Sequence, residues 1–248
     1  MGESELGVVV LAYGAGGEYH APLRTLAAEG VPPESIVVVH NPARRGEPSP
    51  VAADGIEVIQ ASHNLGYAAG MNLGIERQLE RGVQLILLLT HDAGLRPGSV
   101  GALLDAARRE PGYAVLGPAL VLAGSDEPFS FGGVTRANGS VTHLREAPIA
   151  GGDGIAACDW VDGGTMLVRS DVLGAVGGFD ERLWSYCEEA DLCLRAKRAG
   201  YGIGVVLDAT AEQAPGGSNR VSAWAYLLTR NGIVYGARAA GARGAVFM

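Results

Sequence analysis

The chain has 248 residues, 48% of them hydrophobic and 19% charged, which suits a folded α/β protein with a buried core. Its formal net charge is −8 and no basic stripe interrupts it, which argues against nucleic acid as the main partner. Three cysteines, Cys158, Cys187 and Cys193, without a CxxC spacing support neither a disulfide framework nor a zinc site.

Taken in chain order, Leu6 to Tyr13 is a continuous apolar run, as in a parallel strand buried on both faces. Pro22 to Glu29 reads as a helix ended by Gly30. Ser35 to His40 and Gly55 to Gln60 read as strands. Gly66 to Arg81 reads as a helix closed by Gly82, and Val83 to Thr90 as a strand that stops at His91-Asp92. Pro97 to Arg109 is a further helix and Val115 to Val121 a further strand. This alternation predicts a parallel sheet with helices on both faces.

The second half is less regular. Residues 124–154 are rich in Gly and polar residues, with a hairpin expected around Asn138-Gly139. Asp159 to Arg169 reads as a strand running through a Gly-Gly pair. Ser170 to Val176 reads as a short helix with Ser170 as its N-cap. Glu188 to Ala199 is expected as a helix, Tyr201 to Leu207 as the last strand and Ser222 to Ala240 as a C-terminal helix. We expect one domain over residues 1–248, with a nucleotide-sugar-binding half (1–122) and an acceptor-binding, catalytic half (123–248). The longest apolar run is far too short to cross a bilayer, and the amino terminus does not resemble a signal peptide. The expectation is a cytoplasmic protein. A lipid-linked substrate would be met at the inner face of the membrane.

Ligands of open parallel sheets bind beyond the carboxyl ends of the strands. Ala12-Tyr13-Gly14, His40-Asn41, Ser62-His63-Asn64 and Thr90-His91-Asp92 fall there. Asp92, after the strand LILLL, can hold Mg²⁺ or Mn²⁺ together with substrate phosphates, or can simply cap a turn. Glu188, Glu189 and Asp191 crowd the first turn of a helix, where the dipole stabilises carboxylates. The same dipole is expected to keep one ionised and able to act as a base. Glu188, Asp191, Arg195 and Arg198 share a face, so ion pairing among them is expected.

These segments together resemble glycosyltransferase family 2, in its rhamnosyltransferase-like branch, over nearly the whole chain. VVVLAYGAG is similar to the family's first strand and nucleotide loop, NLGYAAGMNLGI to its N-x-G-[FY]-[AG]-x-G-x-N-x-G segment, and LILLLTHDAGLRPGSV to the strand ending in its aspartate motif. WVDGGTMLVRSDVLGAVGGFDERLWSYCEEADLCLRAKRAGY is similar to the acceptor-side block, and YLLTRNGIVY to the C-terminal R-N helix. The resemblance implies a mostly parallel, Rossmann-like α/β fold of GT-A type. It also implies inverting transfer from a nucleotide diphosphate sugar, such as a dTDP-deoxysugar, to a carbohydrate, lipid-linked or natural-product acceptor. A homodimer is left open.

Residue by residue, it implies Glu189 as catalytic base and Asp92 as the ligand of Mg²⁺ or Mn²⁺. Ala12, Tyr13, Gly14, His40, Asn41, Asn64, Gly70, Asn72, His91, Asp92 and Arg230 would bind the nucleotide sugar. Trp160, Asp162, Gly163, Gly164 and Glu188 would line the sugar and acceptor side. Four departures stand out. The aspartate motif has one carboxylate, the E-D pair reads Glu188-Glu189 so that the base is one methylene longer, His40 replaces an acid, and Gln213 stands where a metal-binding His is usual, with Glu212 beside it. A degenerate binding relative and a sugar-1-phosphate nucleotidyltransferase are the alternatives. The second lacks its Gly-rich loop with Arg and Lys, and retained Asp92 and Glu189 favour the enzyme over the first.

Overall fold

The computed structural model describes residues 5–14, 20–47, 55–149, 151–213 and 224–241. Four parallel strands form one side of the main sheet: β1 (Leu6–Tyr13), β2 (Ile36–Asn41), β3 (Glu57–Gln60) and β4 (Leu85–Thr90). β1 lies between β4 and β2, buried on both faces, which is why its sequence shows no alternation. The helices between them are α1 (His20–Ala28) and α2 (Gly66–Glu80); α3 (Ser99–Arg109) follows the short β5 (Gly94–Leu95).

The rest of the sheet departs from the parallel expectation. β6 (Tyr113–Leu122) does not pair with β4. Between them runs β11 (Thr165–Arg169), antiparallel to both. β12 (Gly202–Gln213) then adds parallel to β6, and the edges carry β7 (Pro128–Ser130) and β10 (Ile155–Ala157). The order is β10-β12-β6-β11-β4-β1-β2-β3, a mixed sheet with a parallel majority around β1. β8 (Gly133–Thr135) and β9 (Val141–His143) make the separate hairpin expected around Asn138-Gly139; Gly139 has φ 85° in the connecting turn.

Two further expectations fail locally. The strand expected from Asp159 begins only at Thr165, because Trp160 makes an isolated bridge to Gly133 and the chain bends through Gly163-Gly164. Ser170 does not cap α4 (Ser170–Val176): the cap position is Arg169, and the Ser170 hydroxyl is buried without a hydrogen-bond partner. The last two helices are α5 (Glu188–Arg198) and α6 (Trp224–Ala240).

Odd and even residues of β1 enter different cores. Val9 and Leu11 pack with α2 and α5, whereas Val8, Val10 and Ala12 pack with Leu26 of α1 and Leu103 of α3. α2 approaches β1 closely enough that a Cβ on Gly74 would stand 2.2 Å from a methyl of Val9. That contact sets the depth of the helix whose amino terminus borders the site.

Candidate active site

A cavity of about 440 Å³ opens at the carboxyl ends of β1, β2 and β4. The antiparallel course of β11 decides what else reaches it. Because β11 runs opposite to β4, the lead-in Asp162-Gly163-Gly164 arrives at the same end, with Thr90 N donating to Gly164 O at 3.0 Å. Tyr13, Asn41, Asn64, His91 and Asp92 line one side. Trp160, Asp162, Gly163, Gly164, Glu188 and Glu189 line the other.

α5 delivers the two glutamates from an unusual approach. Trp184, Tyr186 and Cys187 adopt positive φ of 63°, 75° and 67°, conformations costly for side chains of this size. Asn231 of α6 holds this segment: its fully buried amide donates to the carbonyls of Leu183, Ser185 and Tyr186 at 2.7–2.8 Å. On the other side, the Trp184 carbonyl accepts from Ala68 N, and a Cβ on Gly66 (φ 80°) would lie 2.6 Å from that carbonyl oxygen. Glycine is thus required at the start of α2 so that the strained segment can close over it.

Glu188 is buried, and Glu189 beside it is half-buried against the cavity. The helix dipole was expected to keep the base ionised, but burial outweighs it. Desolvation pushes the Glu189 carboxyl up to about 7, with the charge of Asp162 acting the same way and its own and Ala190's backbone N–H groups opposing. Desolvation and the charge of Glu189 push Glu188 well above its ordinary range, and its Oε2 has no hydrogen-bond partner. Tyr67 packs beneath, donating to Gly163 O at 2.5 Å and edge-on to Phe179. Glu188 therefore takes no part in the expected ion pairing on α5. Asp191 does, with Arg195 Nε at 2.9 Å, while Arg198 donates to the carbonyl of Arg238.

Several residues expected in the nucleotide-sugar site lie elsewhere. Ala12 points into the core under α1 and α3. His40 is fully buried, between Gly14 O (3.1 Å) and the Gln60 side chain (2.9 Å), so it ties strand ends together and does not face the cavity. Gly14 serves that tie. Gly70 lies against Leu11, and Asn72 holds Phe179 through both its amide atoms. Arg230 spends its guanidinium on the carbonyls of Arg182 and Leu183 and on Asn231. Asn41 and Asn64 reach the cavity wall, yet their amides mainly shape the turn into α2. His63 is exposed beside Ser62, Glu212 is paired with Arg96, and the Gln213 side chain lies outside the described residues. Among the strand-end positions, the alternating side-chain direction of a strand sends Ala12 into the core.

Residues that the sequence reading passed over also line the cavity. They include Phe129, Val141 and His143 from β7 and the hairpin, the strained Trp184 to Cys187, and Leu228 of α6. A strand-like run after Asn138-Gly139 was the available signal for His143.

For a divalent cation, Asp92 offers one carboxylate on the wall, and no group of three or more His, Cys, Asp or Glu side chains forms a metal cluster among the described residues. That donor set fits a cation whose remaining positions are filled by diphosphate oxygens and water, and not one caged by protein.

The family model described as "Glycosyltransferase like family 2" matches residues 4–232. This chain belongs to that family. The glycosyltransferase is 27% identical over 221 residues to an N-acetylglucosaminyl-diphospho-decaprenol L-rhamnosyltransferase of Mycobacterium tuberculosis, covering 79% of this chain and 71% of that one. It is 26% identical to the low-salt glycan biosynthesis hexosyltransferase Agl10 of Haloferax volcanii, over 64% of this chain and 53% of the relative. Among solved structures, GalNAc-T7 with UDP, GalNAc and Mn²⁺ superposes with a TM-score of 0.63 at 12% identity, covering 86% of this chain and 44% of that chain. The glycosyltransferase thus spans less than half of that structure, and the likeness is one of fold: the mixed sheet is a GT-A sheet.

Proposed function

We propose that this glycosyltransferase moves a sugar, with inversion, from a nucleotide diphosphate donor to a hydroxyl of a lipid-linked or other carbohydrate acceptor, with Glu189 as base. The observation that carries the reading is the meeting, in one cavity, of Asp92 at the end of β4 and Glu189 at the start of α5. Glu189, held near 7, is poised between taking and releasing a proton at neutral pH. It takes the proton of the acceptor hydroxyl as that oxygen bonds to the anomeric carbon. The bond from that carbon to the diphosphate oxygen breaks on the opposite face, so one displacement inverts the centre.

Asp92 is the residue that would hold Mg²⁺ or Mn²⁺; such a cation supplies positive charge to the departing diphosphate. Tyr13, 46% exposed at the rim, offers an aromatic face to a nucleobase, and Asp162 with Gly163 and Gly164 floors the acceptor side. The mycobacterial relative is named for rhamnosyl transfer to a decaprenol-linked sugar. This supports a deoxysugar donor and a prenyl-diphosphate-linked acceptor, and with it a working position at the inner membrane surface. Among the described residues no helix is long and apolar enough to cross a membrane.

Calorimetric titration with UDP, dTDP and GDP, with and without Mn²⁺, tests the donor half. One nucleotide is expected to bind, and more tightly with Mn²⁺. Absence of binding to all three would sink the reading.

A further inference from the structure

The acceptor side of the cavity contains a hydrogen-bonded cluster that the proposed mechanism does not use. Asp162 is half of it. Its Oδ2 accepts from Ser130 Oγ at 2.7 Å, and its Oδ1 stands 3.5 Å from His143 Nδ1, which is itself 3.0 Å from Ser130 Oγ. Ser130 sits at the end of β7 and His143 at the end of β9, so two strands from outside the parallel half converge on one carboxylate. The His143 ring is fixed edge-on to Trp160 at 4.8 Å and tilted against Phe129 at 5.6 Å. Arg145 packs its guanidinium over the Phe129 ring and donates to the Phe129 carbonyl. Trp160 adds a buried indole N–H without a partner.

We infer that His143 is a positioning residue for glycosyl transfer, orienting the Asp162 carboxylate together with Ser130 towards the cavity on the acceptor side. The inference rests on the proposed function only for its effect on turnover. Its physical basis is the competition at Asp162. That side chain is 17% exposed, and burial raises its proton affinity. The groups facing it are His143 from β9, Ser130 from β7, Arg145 just beyond β9 and Glu189 from α5. The first three oppose the rise, His143 most strongly. The charge on Asp162 in turn raises the proton affinity of Glu189. One imidazole therefore acts on both carboxylates of the acceptor side, through Asp162. An ionised Asp162 can accept a hydrogen bond from an acceptor hydroxyl and still keep Ser130, since a carboxylate has four lone-pair sites.

The test follows the Asp162 carboxyl carbon by NMR across pH in the full chain labelled with carbon-13 aspartate, with Asp162→Asn assigning the signal. In His143→Gln the Asp162 proton affinity is expected to rise at least threefold over wild type. Donor turnover is expected to fall, while binding of dTDP and UDP stays within about twofold. His143→Asn serves the same purpose if the Gln variant does not fold. His143→Arg, which places a permanent cation at that position, is expected to bring the titration back. Coincident Asp162 titrations in wild type and the neutral variants would overturn the inference. Wild-type protein without nucleotide binding or turnover would instead remove the proposed function, and the carboxyl titration would still decide whether His143 controls Asp162.

Discussion

The two ends of the Glu188–Asp191 turn of α5 are treated in opposite ways. On the side away from the cavity, Asp191 is 2% exposed and bonded by Arg195 at 2.9 Å and Arg238 at 2.6 Å. Arg238 also bonds Asp180, which Arg182 clasps as well, and the two guanidinium groups hold that carboxyl far below its ordinary range. On the cavity side, Glu188 is buried and Glu189 half-buried, no ion pair neutralises either among the described residues, and both are pushed up. The same residue chemistry in the same helical turn is thus neutralised by partners in one place and left unneutralised in the other. Burying a charge without a partner costs stability. A fold keeps such a group where its proton has to move.

The largest effect should come from removing the unpaired proton acceptor. Glu189→Gln is expected to lower transfer about 1,000-fold, within the range for a positioned base, with nucleotide affinity within about threefold. Normal turnover by this variant would show that the base lies elsewhere. Wild-type turnover should climb with pH through about 7 as Glu189 loses its proton. Stability should run the other way. Because the folded protein holds the Glu189 proton more tightly than the unfolded chain does, stability falls as pH rises from about 4.5 to about 7. Glu189→Gln escapes this loss, so it should be more stable than wild type at pH 8 by about 3 kcal/mol, read from urea unfolding. A less stable variant at pH 8 would show that Glu189 is compensated by something after all.

The paired side predicts the reverse. Asp191→Asn leaves Arg238 and Arg195 without their shared carboxylate and should cost about 3 kcal/mol in urea unfolding. Little loss would mean that the network is ornamental and the contrast along α5 false. Asp92→Ala should have a smaller effect, and only on binding. It should weaken nucleotide binding in Mn²⁺ by about tenfold, equivalent to about 1.4 kcal/mol, and leave the ligand-free stability unchanged. Equal affinity with and without Asp92 would exclude it as the cation's ligand.

The parallel half was legible because burial writes itself as unbroken apolar runs. Leu6–Tyr13, Ile36–Asn41 and Leu85–Thr90 each fall within a residue or two of the expected strand. The direction of β11 was not legible. Thr165–Arg169 is buried on both faces and reads the same whether its neighbours run parallel or antiparallel. That one reversal is what brings Asp162 to the site. Asp92 stood out as a carboxylate at a strand end, whereas only the family resemblance singled out Glu189 from Glu188 and Asp191 in the same turn. Which way a polar side chain faces was not visible, neither for His40 at a strand end nor for Asn72 and Arg230 on helices matched by the resemblance; the polar atoms of all three tie backbone together. Asn231 shows the converse: a polar residue in an apolar helix, it anchors the strained segment that aims Glu189. Nothing local in the sequence distinguishes it from Arg230 beside it.

The smallest effect sharpens the contrast from within the paired network. Asp180 has two arginine partners of very different exposure: Arg182, with 82% of its side chain in solvent, and Arg238, with 28%. An exposed guanidinium gains little from an ion pair that water and salt screen, and it must give up rotamer freedom to hold it. Arg182→Ala also leaves Asp180 its bond to Arg238, and the backbone N–H at position 182 still donates to the Asp180 side chain. The urea midpoint should therefore stay at the wild-type value. Arg238→Ala strips Asp180 and Asp191 of a partner at once and should lower it clearly. Equal losses from the two substitutions would mean that the number of ion pairs, and not their burial, holds the back of α5. The unpaired glutamates at its front would then need an explanation other than the one burial supplies.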